Sequence, residues 1–152
     1  MITIQDILTP AHVRLQLSAT TQQGAIHEVA DLLKGEEKVL DWTDFYENLK
    51  NGNSCFSNAD GYGICIPHSR THCVTSMVIA AGRSRQGILF EDASMRVHYI
   101  FVIGVPVALA ADYLRIIGAL ARIVKSPERE AELRAATTKL EFLGLLSAGE
   151  ID

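Results

Sequence analysis

Apolar residues first recur at helical spacing in the stretch Ala25, Ile26, Val29, Ala30 and Leu33. They predict a helix from Thr21 to Lys34, which Gly35 stops. Trp42, Phe45, Tyr46 and Leu49 predict a shorter helix from about Thr43 to Lys50, capped by Asp41 or Thr43 and ended by the turn residues Asn51-Gly52-Asn53. The period then changes. Gly61 to Pro67 reads as a short extended run, and Ser76 to Ala81 and Val97 to Val105 are Val- and Ile-rich runs of the kind that form central strands covered on both faces. Helical spacing returns from about Ala110 to Lys125, with Leu114, Ile117, Ala121 and Val124 on one face. Ser126-Pro127-Glu128 starts another helix, and Thr138-Lys139-Leu140-Glu141 is a capping box for a last one through Leu146. Helices at both ends around a strand-rich centre imply an α/β or α+β sandwich.

With 152 residues, 48% hydrophobic and 21% charged, the chain is expected to fold as one domain over residues 1–152. Fourteen Lys and Arg against eighteen Asp and Glu give a net charge of −4, which argues against a general nucleic-acid binder. The Val97 to Ala111 stretch carries His98, Gly104 and Pro106 and is too short and interrupted to span a membrane. No signal-peptide pattern opens the chain. Cys55, Cys65 and Cys73 are an odd number with no Cys-x-x-Cys pair, so no disulfide framework is expected and a reducing, cytoplasmic setting fits best.

The decapeptide Gly61-Tyr62-Gly63-Ile64-Cys65-Ile66-Pro67-His68-Ser69-Arg70 carries the chemistry. Its apolar run buries a strand, and Pro67 fixes the chain where it leaves the sheet, delivering His68 to a strand end. A neutral imidazole is a nucleophile near neutral pH, and Ser69 and Arg70 beside it can hold phosphate oxygens. These residues support a nucleophile, a ligand or a plain exposed histidine.

Gly63-Ile64-Cys65-Ile66-Pro67-His68-Ser69-Arg70 resembles the active-site signature of phosphotransferase-system enzyme IIA domains of the fructose/mannitol type, which include nitrogen-regulatory members. Cys65 stands where alanine is commoner. The remaining order is also similar: an N-terminal helix, a strand ending in Ala81-Gly82-Arg83, Gly87-Ile88-Leu89-Phe90, a hydrophobic strand ending near Pro106, a helix from Asp112 and a Leu-rich terminal helix. The resemblance implies a mixed β-sheet flanked by helices in a single domain. His68 would accept a phosphoryl group from an HPr-type phosphocarrier. It would then pass the group to a IIB domain or signal a regulatory protein target, and the nitrogen-regulatory kind is favoured because no IIB or IIC segment is attached. Arg70, Ser69, Gly63, Tyr113 and Ser57 are the expected phosphoryl- or partner-binding residues, and no metal or organic cofactor is needed. No membrane insertion is implied, and a homodimer is left open.

Two positions depart from the family pattern. Asp112-Tyr113-Leu114 stands where a second histidine is usual, and Lys50-Asn51-Gly52 where an arginine is usual, leaving only Lys50 as a looser point charge. Ser57-Asn58 corresponds to a Ser-Thr pair. The competing reading is a non-phosphorylatable binding module on the same fold. A metal site from Cys55, Cys65, His68, His72 and Cys73 fits no usual zinc spacing, and Cys65 is expected to face away from His68. Arg115, Arg122, Lys125, Arg129 and Arg134 read as the solvated face of two helices, and His12, His27 and His98 as structural.

Overall fold

The computed structural model describes residues 2–49 and 53–149. Its centre is a five-stranded mixed sheet in the order β1-β4-β5-β3-β2, formed by β1 (Val13–Arg14), β2 (Asn53–Ser57), β3 (Gly63–Arg70), β4 (Val78–Phe90) and β5 (Met95–Val105). β3 runs parallel to β5, β1 runs parallel to β4, and the other pairings are antiparallel. The helices are α1 (Ile4–Ile7), α2 (Gln22–Asp31), α3 (Trp42–Leu49), α4 (Ala110–Lys125), α5 (Pro127–Ala135) and α6 (Lys139–Ala148).

Strand alternation splits the core into two layers. Ile64, Ile66, Tyr99, Phe101, Ile103 and Val105 face α1, α4, α5 and α6, whereas Cys65, Ile100 and Val102 face α2 and α3. Each fully buried Ile, Val or Phe stabilises by about 1.5–3 kcal/mol, so burial on both faces of β5 makes it the sheet's anchor.

The expected helices form. Thr21, Ser126 and Thr138 each cap one with a side-chain oxygen that accepts from the third residue on. The box at Thr138 differs in one contact: Glu141 accepts from the N–H of Thr137, one residue earlier than the cap. The first predicted helix stops at Asp31, earlier than Lys34. Leu32, Leu33 and Lys34 bond the carbonyls three residues back, and the Trp42 indole donates to the Ala30 carbonyl at 2.8 Å. That tightens the last turn before Gly35, where φ is +81°.

Three expectations are corrected. The strand predicted to end at Ala81-Gly82-Arg83 runs on to Phe90, because β5 pairs with it antiparallel from Val78↔Gly104 to Phe90↔Met95. α4 keeps part of the predicted face, since Ala121 and Val124 are buried and Ile117 packs against the core. Its buried stripe is nevertheless turned away from Leu114, which is 65% exposed, toward Tyr113, Ile116, Leu120 and Ile123, whose bulkier side chains fill the sheet surface. Finally, Cys55 and Cys65, directly opposite one another on β2 and β3, form a disulfide, leaving Cys73 free. An odd cysteine count without a Cys-x-x-Cys pair carries no information about cross-strand register, and it is register that sets these two side by side.

Candidate functional site

β3 and β5 are parallel, so their carboxyl ends open on the same side of the sheet, the usual place for ligand chemistry in α/β folds. His68 lies there, paired with Ile103, and Ser69 and Arg70 follow opposite Gly104 and Val105. Among the described residues the β2–β3 ladder ends at Asn53↔Pro67. Proline offers no N–H to continue it, so His68 stands one residue past the end of that ladder.

The side chain of His68 is half-buried and points to the layer containing α4. Its Nδ1 lies 2.8 Å from the carbonyl oxygen of Ile66. A carbonyl only accepts, so Nδ1 is the protonated nitrogen and donates. In the neutral ring the lone pair is therefore on Nε2.

The turned α4 brings Tyr113 over this ring, with centroids 4.9 Å apart and the planes tilted by 49°. Burial pushes the Tyr113 phenol up and the Arg70 cation pulls it partly back. The phenol therefore keeps its proton at neutral pH and can donate. Arg70 is exposed and its Nη2 donates to the carbonyl of Val107 at 3.2 Å, in the connection from β5 to α4. Ser69 is buried, its side chain on the sheet face opposite that of His68 by strand alternation.

The other expected site residues lie elsewhere. Ser57 pairs with Gly63 at the far end of β3, five positions from His68, or roughly 16 Å at about 3.3 Å per residue. Gly63 is a packing position, since a Cβ there would meet the Arg96 carbonyl oxygen at 2.5 Å. Neither is brought to the imidazole. Asn58 is also remote and organises its own turn, accepting from the N–H groups of Asp60 and Tyr62 and donating to the Val124 carbonyl. Lys50, Asn51 and Gly52 lie outside the described residues. Cys65 faces the α2–α3 layer, on the side of the sheet away from His68, and is bonded to Cys55. That placement separates it from the histidine as a joint metal ligand.

The arrangement at His68 thus holds an oriented imidazole with one nitrogen free, a neutral hydroxyl-bearing ring packed on it and a guanidinium alongside. The model of the phosphoenolpyruvate-dependent sugar phosphotransferase system EIIA 2 family matches residues 6–149. The chain belongs to that family. It is 29% identical over 140 residues to the fructose-specific EIIA component of Haloferax volcanii, covering 91% of each protein. It is 25% identical over 145 residues to the fructose-specific EIIABC component of Bacillus subtilis, which covers 95% of this chain but only 23% of that longer protein. Among solved structures, the nitrogen regulatory protein IIA-Ntr of Neisseria meningitidis superposes with a TM-score of 0.79 at 26% identity, over 94% of this chain and 98% of the other. The fold of this EIIA-family chain is therefore the mixed sheet with flanking helices that its motif implied.

Sequence reasoning missed one group that shapes the molecule. Arg83 is 3% exposed, and its guanidinium donates to the carbonyls of Leu15, Leu133, Arg134 and Ala136. Arg134 also departs from the expected solvated face. It pairs with the fully buried Glu130 at 3.1 Å and lies over the Tyr62 ring. The arginine that directly follows the apolar run Val78 to Gly82 was the available signal for Arg83.

Proposed function

We propose that this EIIA-family chain is a phosphocarrier in which Nε2 of His68 takes a phosphoryl group from an HPr-type phosphohistidine protein. The lone pair of Nε2 forms the new N–P bond as the donor's N–P bond breaks, and the donor imidazole leaves with that electron pair. A second transfer passes the group to a IIB domain, or the phosphorylated state acts as a signal to a regulatory target. The nitrogen-regulatory kind is favoured, with the cytoplasm as its setting. The observation carrying this reading is the Nδ1–H bond to the Ile66 carbonyl, which orients the ring and leaves Nε2 as the nucleophile. Tyr113 supplies a hydroxyl donor and Arg70 a positive charge for the phosphoryl oxygens, where other family members use a second histidine.

The alternative is a binding module without phosphotransfer, and the uncharged Tyr113 at the second-histidine position favours it. The two readings separate on intact mass after incubation with phosphoenolpyruvate, enzyme I and an HPr-type carrier. The expected result is one acid-labile phosphoryl group on the wild type and none on His68→Ala. An unlabelled wild type with donor proteins in excess overturns the phosphocarrier and leaves the binding module.

A further inference from the structure

At the other end of the sheet, β4 breaks its pairing with β5. Arg83 pairs with Tyr99 and Ile88 with Val97, so residues 84–87 bulge out against the single residue His98. Such excursions re-aim side chains and are enriched beside functional sites. This one is held from two directions. The Gly87 N–H donates to Ser84 Oγ at 3.1 Å, and Arg96 Nη1 donates to the Gly87 carbonyl at 3.3 Å. Gly87 has φ +80°, and a Cβ there would meet Arg96 Cγ at 2.5 Å and His98 Nε2 at 2.7 Å. Only glycine lets the arginine cross at this point.

Between the bulge and the segment leading into α2 lies an open cleft of about 370 Å³, within the size range of small-molecule sites. Gln16, Ser18, Thr20, Ser84, Gln86 and Arg96 supply its polar groups, and Arg96 is the one charged residue lining it. Ser84 is 7% exposed, so its hydroxyl is a buried polar group facing the cleft. Glu28, on α2, is already engaged: it accepts from the Ser18 and Ala19 N–H groups and pairs with Arg14 at 3.4 Å.

We infer that this cleft binds a small hydroxylated anion, its carboxylate or phosphate head held by the Arg96 guanidinium and its hydroxyls by the flanking hydroxyl and amide side chains. A guanidinium fork matches either head, and the hydroxyls and amides suit a polar body over an apolar one. Arg96 is seven positions along β5 from Ile103, the partner of His68, or roughly 23 Å away. The site is thus separate from the histidine and independent of any phosphotransfer there.

The test is a titration of the intact chain followed by backbone amide NMR shifts, with glycerol 3-phosphate and malate as the two heads and glycerol as the neutral control. Saturable shifts at Ser18, Ser84 and Gly87 are expected with at least one anion, with Kd on the order of 1 mM. Whichever head binds more tightly names the ligand class. Because Arg96 is exposed, Arg96→Gln should fold normally and lose affinity roughly tenfold or more, with Arg96→Lys partly restoring it. Neither anion binding up to about 20 Kd-equivalents of that expectation, unchanged affinity in Arg96→Gln, or glycerol binding as tightly as the anions would each overturn the proposal.

Discussion

At the scale of single residues, buried His98 and half-buried His12 do different work from His68. His98 is 6% exposed, and its Nδ1 accepts from the Gly63 N–H at 3.4 Å. Accepting there requires an unprotonated Nδ1, and burial correspondingly pulls its pKa down, against an opposing pull from Glu130. His12 is also shifted down, by burial, despite Glu36 beside it. In both cases the unfolded chain binds a proton at higher pH than the folded one. The stability present above the unfolded value, about 6.5, is therefore lost as pH falls from there through the lower folded value. Denaturant melts across pH 7.5 to about 4.5 should show this loss, and His98→Asn, which retains an acceptor, should flatten it. An equally steep loss in that variant would assign the acid sensitivity to other groups. His68 differs because its Nδ1–H donates a hydrogen bond to the Ile66 carbonyl and leaves the lone pair on Nε2.

At the scale of elements, β2 is the sheet's edge, held to β3 by its ladder and by the Cys55–Cys65 bond. The bond closes a short loop with a sequence separation of 10, for which chain entropy gives about 2–3 kcal/mol of stabilisation. Alkylation of the denatured, unreduced chain should label one thiol, Cys73, and reduction should expose three. Reduction should also lower the unfolding free energy by about that 2–3 kcal/mol. Three labelled thiols before reduction would refute the pairing. Since Cys65 lies on the face away from His68, His68→Ala phosphorylation comparisons hold in either redox state. α4 makes the opposite point about elements: its buried stripe leaves Leu114 exposed and carries Tyr113 onto the imidazole.

At the scale of the whole molecule, Arg83 ties the layers together. From β4 it reaches the carbonyl of Leu15, just past β1, and three carbonyls at the end of α5 and just beyond it. The end of a helix leaves carbonyls unpaired and carries partial negative charge, so a buried guanidinium there satisfies both. Arg83→Met keeps much of the stem's packing but strands those carbonyls. It is expected to cost about 3 kcal/mol, read as a lower denaturation midpoint with an unchanged slope. A loss within about 0.5 kcal/mol would mean that water replaces the guanidinium without penalty. Nearby, Glu130, Arg134, Tyr99 and Tyr62 form a closed polar network. Burial and the Glu130 carboxylate push the Tyr99 phenol well up, so it remains a donor.

What the sequence determined on its own was local. Helix starts follow from a hydroxyl that can reach the third N–H beyond it, as at Thr21, Ser126 and Thr138; the strand end expected at Pro67 does not follow, since β3 stays paired with β5 through Arg70. The Pro67-His68 motif and its neighbours were sufficient for the family and hence for the fold. What the sequence left open were quantities set by contacts distant along the chain. α4 has more apolar positions than its buried stripe uses, and only packing on the sheet left Leu114 exposed and buried Tyr113. Strand register decided that Cys55 meets Cys65 and that Ser57 stands beside Gly63, five residues from the histidine. The free ring nitrogen, too, was decided by a carbonyl two residues back, whose direction exists only once β3 is laid against β5.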